Sequence, residues 1–208
     1  MNIRNISEFE NIPITAPVIS ALYPNIKAVN KKVADMERRG DIIRLKNGLY
    51  VVNPNVSGSK LCTELIANRL YSPSYISLHT ALRLYGLIPE AVYSMQSMTT
   101  KHSRTFDNAT GHYIYTHTSR QSFHVGLTRR VSGNAAYIIA TPEKALCDLI
   151  VTTAGVHLRY KNDAIQFLEE DLRMDMDAFM HFNRSIFEEY ILVGKKAGSI
   201  ATLLKILR

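Results

Sequence analysis

The dipeptide Asn47-Gly48 constrains this chain more than any other feature, because it sits between two short apolar runs, DIIRL and LYVV. A type I′ turn needs positive φ at both central residues, and Asn-Gly adopts it with little strain. Residues 41–52 therefore predict a two-stranded hairpin. Pairing across the turn sets Leu45 opposite Tyr50 and Ile43 opposite Val52, which predicts one apolar face with Arg44 and Lys46 projecting from the other.

Three short helices are expected ahead of the hairpin. Ser7 and Glu10 have the spacing of a capping box, so the first begins at Ser7 and stops before Pro13. Thr15 caps a second through APVISALY, with Pro17 in its first turn. Pro24 ends it, and Asn25 caps a third that runs to Gly40, placed as the C′ glycine. On this third helix Ile26, Val29, Val33 and Met36 form a narrow apolar seam, while Lys27, Lys31 and Arg38 gather on nearly the opposite face, flanked by Lys32 and Arg39. A cationic face opposite a buried seam is what a recognition helix needs, since its side chains must reach phosphates and base edges while its back packs on the module. The hairpin then reads as a wing. Lys27, Asn30, Lys31, Arg38, Arg44, Lys46 and Asn47 are the candidate contacts to double-stranded DNA.

Pro, Gly, Asn and Ser cluster in VNPNVSGSK, which places a linker at about 53–59 between a winged helix-turn-helix domain (1–54) and a larger domain (60–208). Both are long enough to bury a core, with 46% hydrophobic and 21% charged residues. The net charge of +7 favours polyanionic partners through counterion release. Beyond the linker, 101–130 carry five basic residues against Asp107, and 162–190 carry eight acids against Arg173 and Arg184, so a basic middle precedes an acidic tail.

In the larger domain, 60–71 and 77–85 read as helices, and 93–100, 104–106 and 112–119 as strands. Two further strands are expected at Phe123–Arg129 and Ala136–Ile139. A helix opens at TPEKALCDLI with Thr141 as N-cap, Pro142 at N1 and a Lys144–Asp148 pair at i,i+4, and from about 162 the chain is expected to be helical to its end. The fold class is therefore α+β: a winged helix-turn-helix, then a mixed α/β domain with an antiparallel-rich sheet and a helical C-terminal tail.

Little in the sequence suggests chemistry. His112 and His117 are five apart and face opposite sides of one strand, so no metal is expected there. Asp175 and Asp177 form a D-x-D pair, but Gly198-Ser199 follows it, whereas a nucleotidyltransferase needs its Gly-Ser loop upstream. Glu143-Lys144 lacks the intervening residue of a restriction-type nuclease, and phosphate-loop, nucleophile-elbow and Cys-x-x-Cys motifs are missing. No catalytic residue or cofactor is expected. Cys62 and Cys147 read as two reduced core thiols. The start MNIRNISEFENIP lacks the apolar stretch of a signal peptide, and no apolar run nears the roughly 18 residues of a membrane span, so a cytoplasmic protein is expected.

Several segments resemble the AbiEi antitoxin family. KKVADMERRGDIIRLKNGLYVV is similar to the winged-helix end of that family, and SPSYISLHTALRLYGLIPE, YSMQSMTTKHSRTF and AYIIATPEKALCDLI are similar to its C-terminal blocks, in order and spacing. The resemblance covers about residues 25–150. It implies a cytoplasmic antitoxin of a type IV toxin–antitoxin or abortive-infection operon. Such a protein represses its own promoter through the winged helix and counteracts a nucleotidyltransferase toxin without a stable protein complex. The resemblance carries DNA contacts onto Lys27, Lys31, Arg38, Arg44 and Lys46, and an antitoxin motif onto Thr141, Pro142, Glu143, Lys144 and Asp148. A solitary winged-helix regulator, or a nucleic-acid-processing enzyme acting through the second domain, are the alternatives.

Overall fold

The chain reverses at Asn47-Gly48, with Gly48 at φ +76°, and joins strands β2 (Ile42–Lys46) and β3 (Leu49–Val52) into an antiparallel pair. A computed structural model describes residues 6–26 and 28–207. Next to the turn Lys46 pairs with Leu49, as a two-residue loop demands. A β-bulge at Leu45 then shifts the register, so that Arg44 faces Tyr50, Ile43 faces Val51 and Ile42 faces Val52. The expected pairs Leu45–Tyr50 and Ile43–Val52 do not form. Because side chains alternate with period two, this one-residue shift puts Arg44 and Lys46 on opposite faces of the ribbon instead of the same one.

Both faces of the hairpin are consequently buried. Ile42, Tyr50 and Val52 close a small core with Ile6, Ile14, Ile19, Val33 and Met36. Leu45, Leu49 and Val51 belong to a second, larger core made mostly of residues beyond 60. A strand missed by the sequence reading, β1 (Ile14–Thr15), pairs with β3 and completes a three-stranded sheet of order β1-β3-β2. Two residues are too few to show a period.

The amino-terminal helices are shorter than expected. Residues Ile6–Phe9 form a single 3-10 turn, and Glu10 takes φ +47° instead of continuing a helix. Helix α1 spans Ala16–Leu22. Pro24-Asn25 forms a turn closed by Ile26 N–H donating to Tyr23 O (3.0 Å), so Asn25 is no cap and helix α2 spans only Val29–Arg39. Its C-terminus falls where expected. Gly40 sits at φ +77°, and Asp41 N–H donates to Met36 O at 2.9 Å. The expected linker holds one helical turn, α3 (Pro54–Ser57), capped by the Asn53 side chain accepting from Asn55 N–H.

The remainder is built on a six-stranded mixed sheet of order β6-β7-β5-β4-β9-β8. Helix α4 (Thr63–Leu70) leads to β4 (Ser74–Ile76), α5 (Leu78–Leu84), β5 (Ser94–Thr99), β6 (Arg104–Asn108) and β7 (Gly111–His117). A short α6 (Arg120–Phe123) precedes β8 (Leu127–Ser132), β9 (Ala135–Ala140) and α7 (Pro142–Thr152). The strand expected at Phe123–Arg129 is thus displaced, because Ser119 caps α6 by accepting from Ser122 N–H at 3.1 Å and holds 120–123 helical. The three-residue β4, absent from the sequence reading, lies at the centre of the sheet, antiparallel to β5 and parallel to β9. The tail is helical in pieces: α8 (Lys161–Gln166) runs into a π-helical turn (Phe167–Asp171), then α9 (Met176–Phe179), α10 (Arg184–Val193) and α11 (Ala197–Leu204). Among the described residues no helix is long and apolar enough to cross a membrane.

Candidate functional site

Helix α2 carries the cationic face that the sequence predicts. Val33 and Met36 are buried beneath it, while Asn30, Lys31, Ala34 and Arg38 point to solvent. Lys31 has no hydrogen-bond or ion-pair partner among the described residues. Arg38 pairs with Asp35 across one turn at 3.1 Å and stays 76% exposed, so this pair is a weak tether that a phosphate can replace. Arg39 forks onto Asp41 (Nε 3.0 Å, Nη2 2.6 Å) and Lys32 lies 4.9 Å from the Tyr23 ring centroid, which draws both away from the outer face. Lys27 lies outside the described residues.

The hairpin contributes less than expected. Arg44, on the face shared with Tyr50, reaches back to Glu37 of α2 (Nη2 2.5 Å, Nε 3.1 Å), and this partner holds its guanidinium above its ordinary pKa. Lys46 does not project freely from the hairpin. Its Nζ donates to Leu70 O at the end of α4, 2.5 Å away, where burial first and then the nearby charges of Lys101 and Arg104 lower its pKa. Asn108 Nδ2 donates to Leu45 O (3.0 Å), Asn11 Nδ2 to Lys60 O (3.2 Å) and Asn134 Nδ2 to Glu10 Oε2 (3.0 Å), so the hairpin and its module are tied to the larger part at several points. Asn47 remains exposed at the turn. The structure therefore gathers Asn30, Lys31 and Arg38 on one surface, sets Arg44 behind Glu37, and removes Lys46.

The block Thr141–Asp148 is a different kind of arrangement. Thr141 Oγ1 accepts from Lys144 N–H as the expected N-cap, and Pro142 occupies the first turn of α7. Glu143 to Ile150 are all buried. Lys144 and Asp148 are both 0% exposed, with Lys144 Nζ 2.8 Å from Asp148 Oδ1. The pair is fully satisfied: Nζ also donates to Ser122 O at 2.7 Å, and Asp148 Oδ2 accepts from Tyr75 Oη at 2.9 Å and Ser77 Oγ at 2.8 Å. The rings of Tyr190 and Tyr75 lie 4.5 and 5.5 Å from the ammonium. Burial pushes the Asp148 carboxyl up, and Lys144 with the two hydroxyls pulls it partly back. Glu143 Oε1 accepts from Asn183 N–H at 2.8 Å.

Neither Lys144 nor Asp148 meets solvent, so a partner cannot read them in the folded chain. They join three segments instead: β4 and its following turn, α6, and α7. Two of the segments singled out in the sequence, 72–90 and 136–150, are thereby bonded through Tyr75, Ser77 and Asp148. Gly126 completes the corner. It sits at φ +58°, and a Cβ there would lie 2.8 Å from Lys144 Cβ and 2.9 Å from Ile186 Cγ2.

The other candidates have local structural uses. Asp175 caps α9 by accepting from Ala178 N–H (3.0 Å), and Ser199 Oγ accepts from Leu158 N–H (3.0 Å). His112 pairs with Asp107. Among the described residues no group of three or more His, Cys, Asp or Glu is placed to hold a metal ion. Both thiols are free and buried, and burial pushes Cys62 up to about 11. No family model matches the chain, and no curated protein matches it.

Proposed function

We propose that the segment up to Pro54 is a winged helix-turn-helix that binds duplex DNA at the protein's own promoter, with α2 as the recognition helix. The observation that carries this reading is the solvent-facing triplet Asn30, Lys31 and Arg38 over the buried Val33–Met36 seam. Arg and Lys can meet phosphates and guanine edges from such a face, and Asn can read adenine. Arg44 supports the edge of this surface from behind Glu37, and Asn47 marks the exposed tip. The wing is anchored rather than free, so α2 supplies most of the contact.

Titration of the full chain against its own upstream region, followed by fluorescence anisotropy, tests the reading. Lys31→Ala or Arg38→Ala is expected to weaken binding, and loss of a phosphate contact lowers the slope of log K against log salt by about one unit. Binding indifferent to salt and to both substitutions overturns it.

The rest of the chain we read as an AbiEi-type antitoxin that counteracts a nucleotidyltransferase toxin in the cytoplasm without a stable complex. What supports this is the order and spacing of the segments between 72 and 150, and the way their polar residues converge on one buried pair. Since Glu143, Lys144 and Asp148 are enclosed, they maintain the antitoxic domain rather than touch its target. Co-expression of the chain with the neighbouring toxin gene restores growth if this is right, and unrelieved toxicity at normal antitoxin levels rules it out.

A further inference from the structure

The central sheet is split. β4 and β9 run parallel but are in register at a single pair, Ile76 with Ile139. Towards their amino-terminal ends they part, and the side-chain amide of Asn68 from α4 takes the place of the missing strand, accepting from Ile138 N–H at 2.6 Å and donating to Ile138 O at 3.2 Å. The space left open is a cleft of about 540 Å³, within the range of small-ligand sites.

Its lining has one electrostatic character. Arg69 from α4 and Arg129 from β8 border it, both exposed, and neither has a hydrogen-bond or ion-pair partner among the described residues. No carboxylate is among the residues that line it. At the rim Lys101 Nζ is fixed on Ser72 O at 2.6 Å, which extends the positive edge. Phe123 and the exposed Ile138, which pairs with Arg129, supply aromatic and apolar wall, and the buried Ser74 hydroxyl at the cleft has no partner among the described residues. Two guanidinium groups from separate elements are thus left without carboxylates around one concavity. Their planar forks match phosphate oxygens.

We propose that this cleft binds a nucleotide, with Arg69 and Arg129 on its phosphate and the Phe123–Ile138 wall beside its base. The cleft is too small for a duplex. The same chemistry is offered by a free mononucleotide and by the end of a single strand, and the site is separate from the α2 surface.

The test uses the full chain in anisotropy titrations with a fluorescent mononucleotide and, in parallel, a labelled short single-stranded RNA. Arg69→Ala combined with Arg129→Ala is expected to weaken binding roughly tenfold or more, the scale of one lost charged contact pair. Ala136→Glu, at an exposed lining residue, places a carboxylate in the cleft and is expected to do the same. Lys161→Ala, at an exposed cation that does not line the cleft, leaves binding unchanged. Binding of the mononucleotide identifies the free ligand, and binding of the RNA alone identifies a strand end. No binding of either probe, or binding that survives both cleft variants with melting temperatures intact, overturns the proposal.

Discussion

Helices α2 and α7 have the same length, 11 residues, and each carries an ion pair within one turn of itself, yet they put charge to opposite uses. In α2 the Arg38–Asp35 pair lies in water, 76% and 35% exposed, over a single buried seam. In α7 the Lys144–Asp148 pair is sealed, and its helix is covered on every side. An exposed pair is worth little to stability and can be exchanged for a ligand. A sealed pair is locked in by the cost of leaving either charge alone. The first arrangement suits recognition, and the second suits holding three chain segments in one geometry.

The contrast can be broken most forcefully at α7. Asp148→Ala leaves the Lys144 ammonium buried without its counter-charge and is expected to cost about 3–5 kcal/mol in urea unfolding. Replacing both residues with Met and Leu restores much of that loss, and a double variant as unstable as the single one would contradict this picture. Gly126→Ala comes next, at about 1–3 kcal/mol, since the new methyl meets Lys144 and Ile186 at a positive φ.

The buried carboxyl also predicts a pH effect of definite sign. Its pKa in the fold is raised above 3.8, so only between 3.8 and that raised value does the folded chain hold a proton there that the unfolded chain has released, and above it the ion pair forms. Stability relative to Asp148→Asn is therefore highest below 3.8 and declines as the pH climbs through the raised value. Paired urea titrations across the acid range measure this difference, and a difference that grows with pH would refute it. Smallest of all is the surface. Asp35→Ala is expected to change stability by less than about 1 kcal/mol, and Lys31→Ala by about 0.5 kcal/mol or less, even where DNA affinity falls. A large thermal shift from either would mean that α2 is not the free face it looks.

Much of α2 was legible because its signals are local. The seam of Val33 and Met36 and the C′ glycine Gly40 repeat at helical spacing. Its start was not, because Pro24-Asn25 serves a turn as readily as a cap. The hairpin turn could be read from Asn47-Gly48, but not the bulge at Leu45, which is imposed by two cores competing for one ribbon. β1 and β4 are too short to show alternation. Lys46 misled because its acceptor, Leu70 O, and the like charges near it, Lys101 and Arg104, are remote in sequence. For Lys144 and Asp148, the i,i+4 spacing predicted the pair, a spacing that exposed helix faces share. The contrary signal was present in the surrounding Ala145, Leu146, Cys147, Leu149 and Ile150, since a helix that is apolar all round is an interior helix.

The doubly covered hairpin has a mechanical corollary. A ribbon that lends side chains to two interiors is a common wall, and neither room can be opened without disturbing the other. Peeling the amino-terminal helices away would bare Ile42, Tyr50 and Val52, while withdrawing the larger part would bare Leu45, Leu49 and Val51 from the reverse side. A load placed on α2 therefore bears on β2 and β3, whose Lys46 is bonded to Leu70 O at the end of α4.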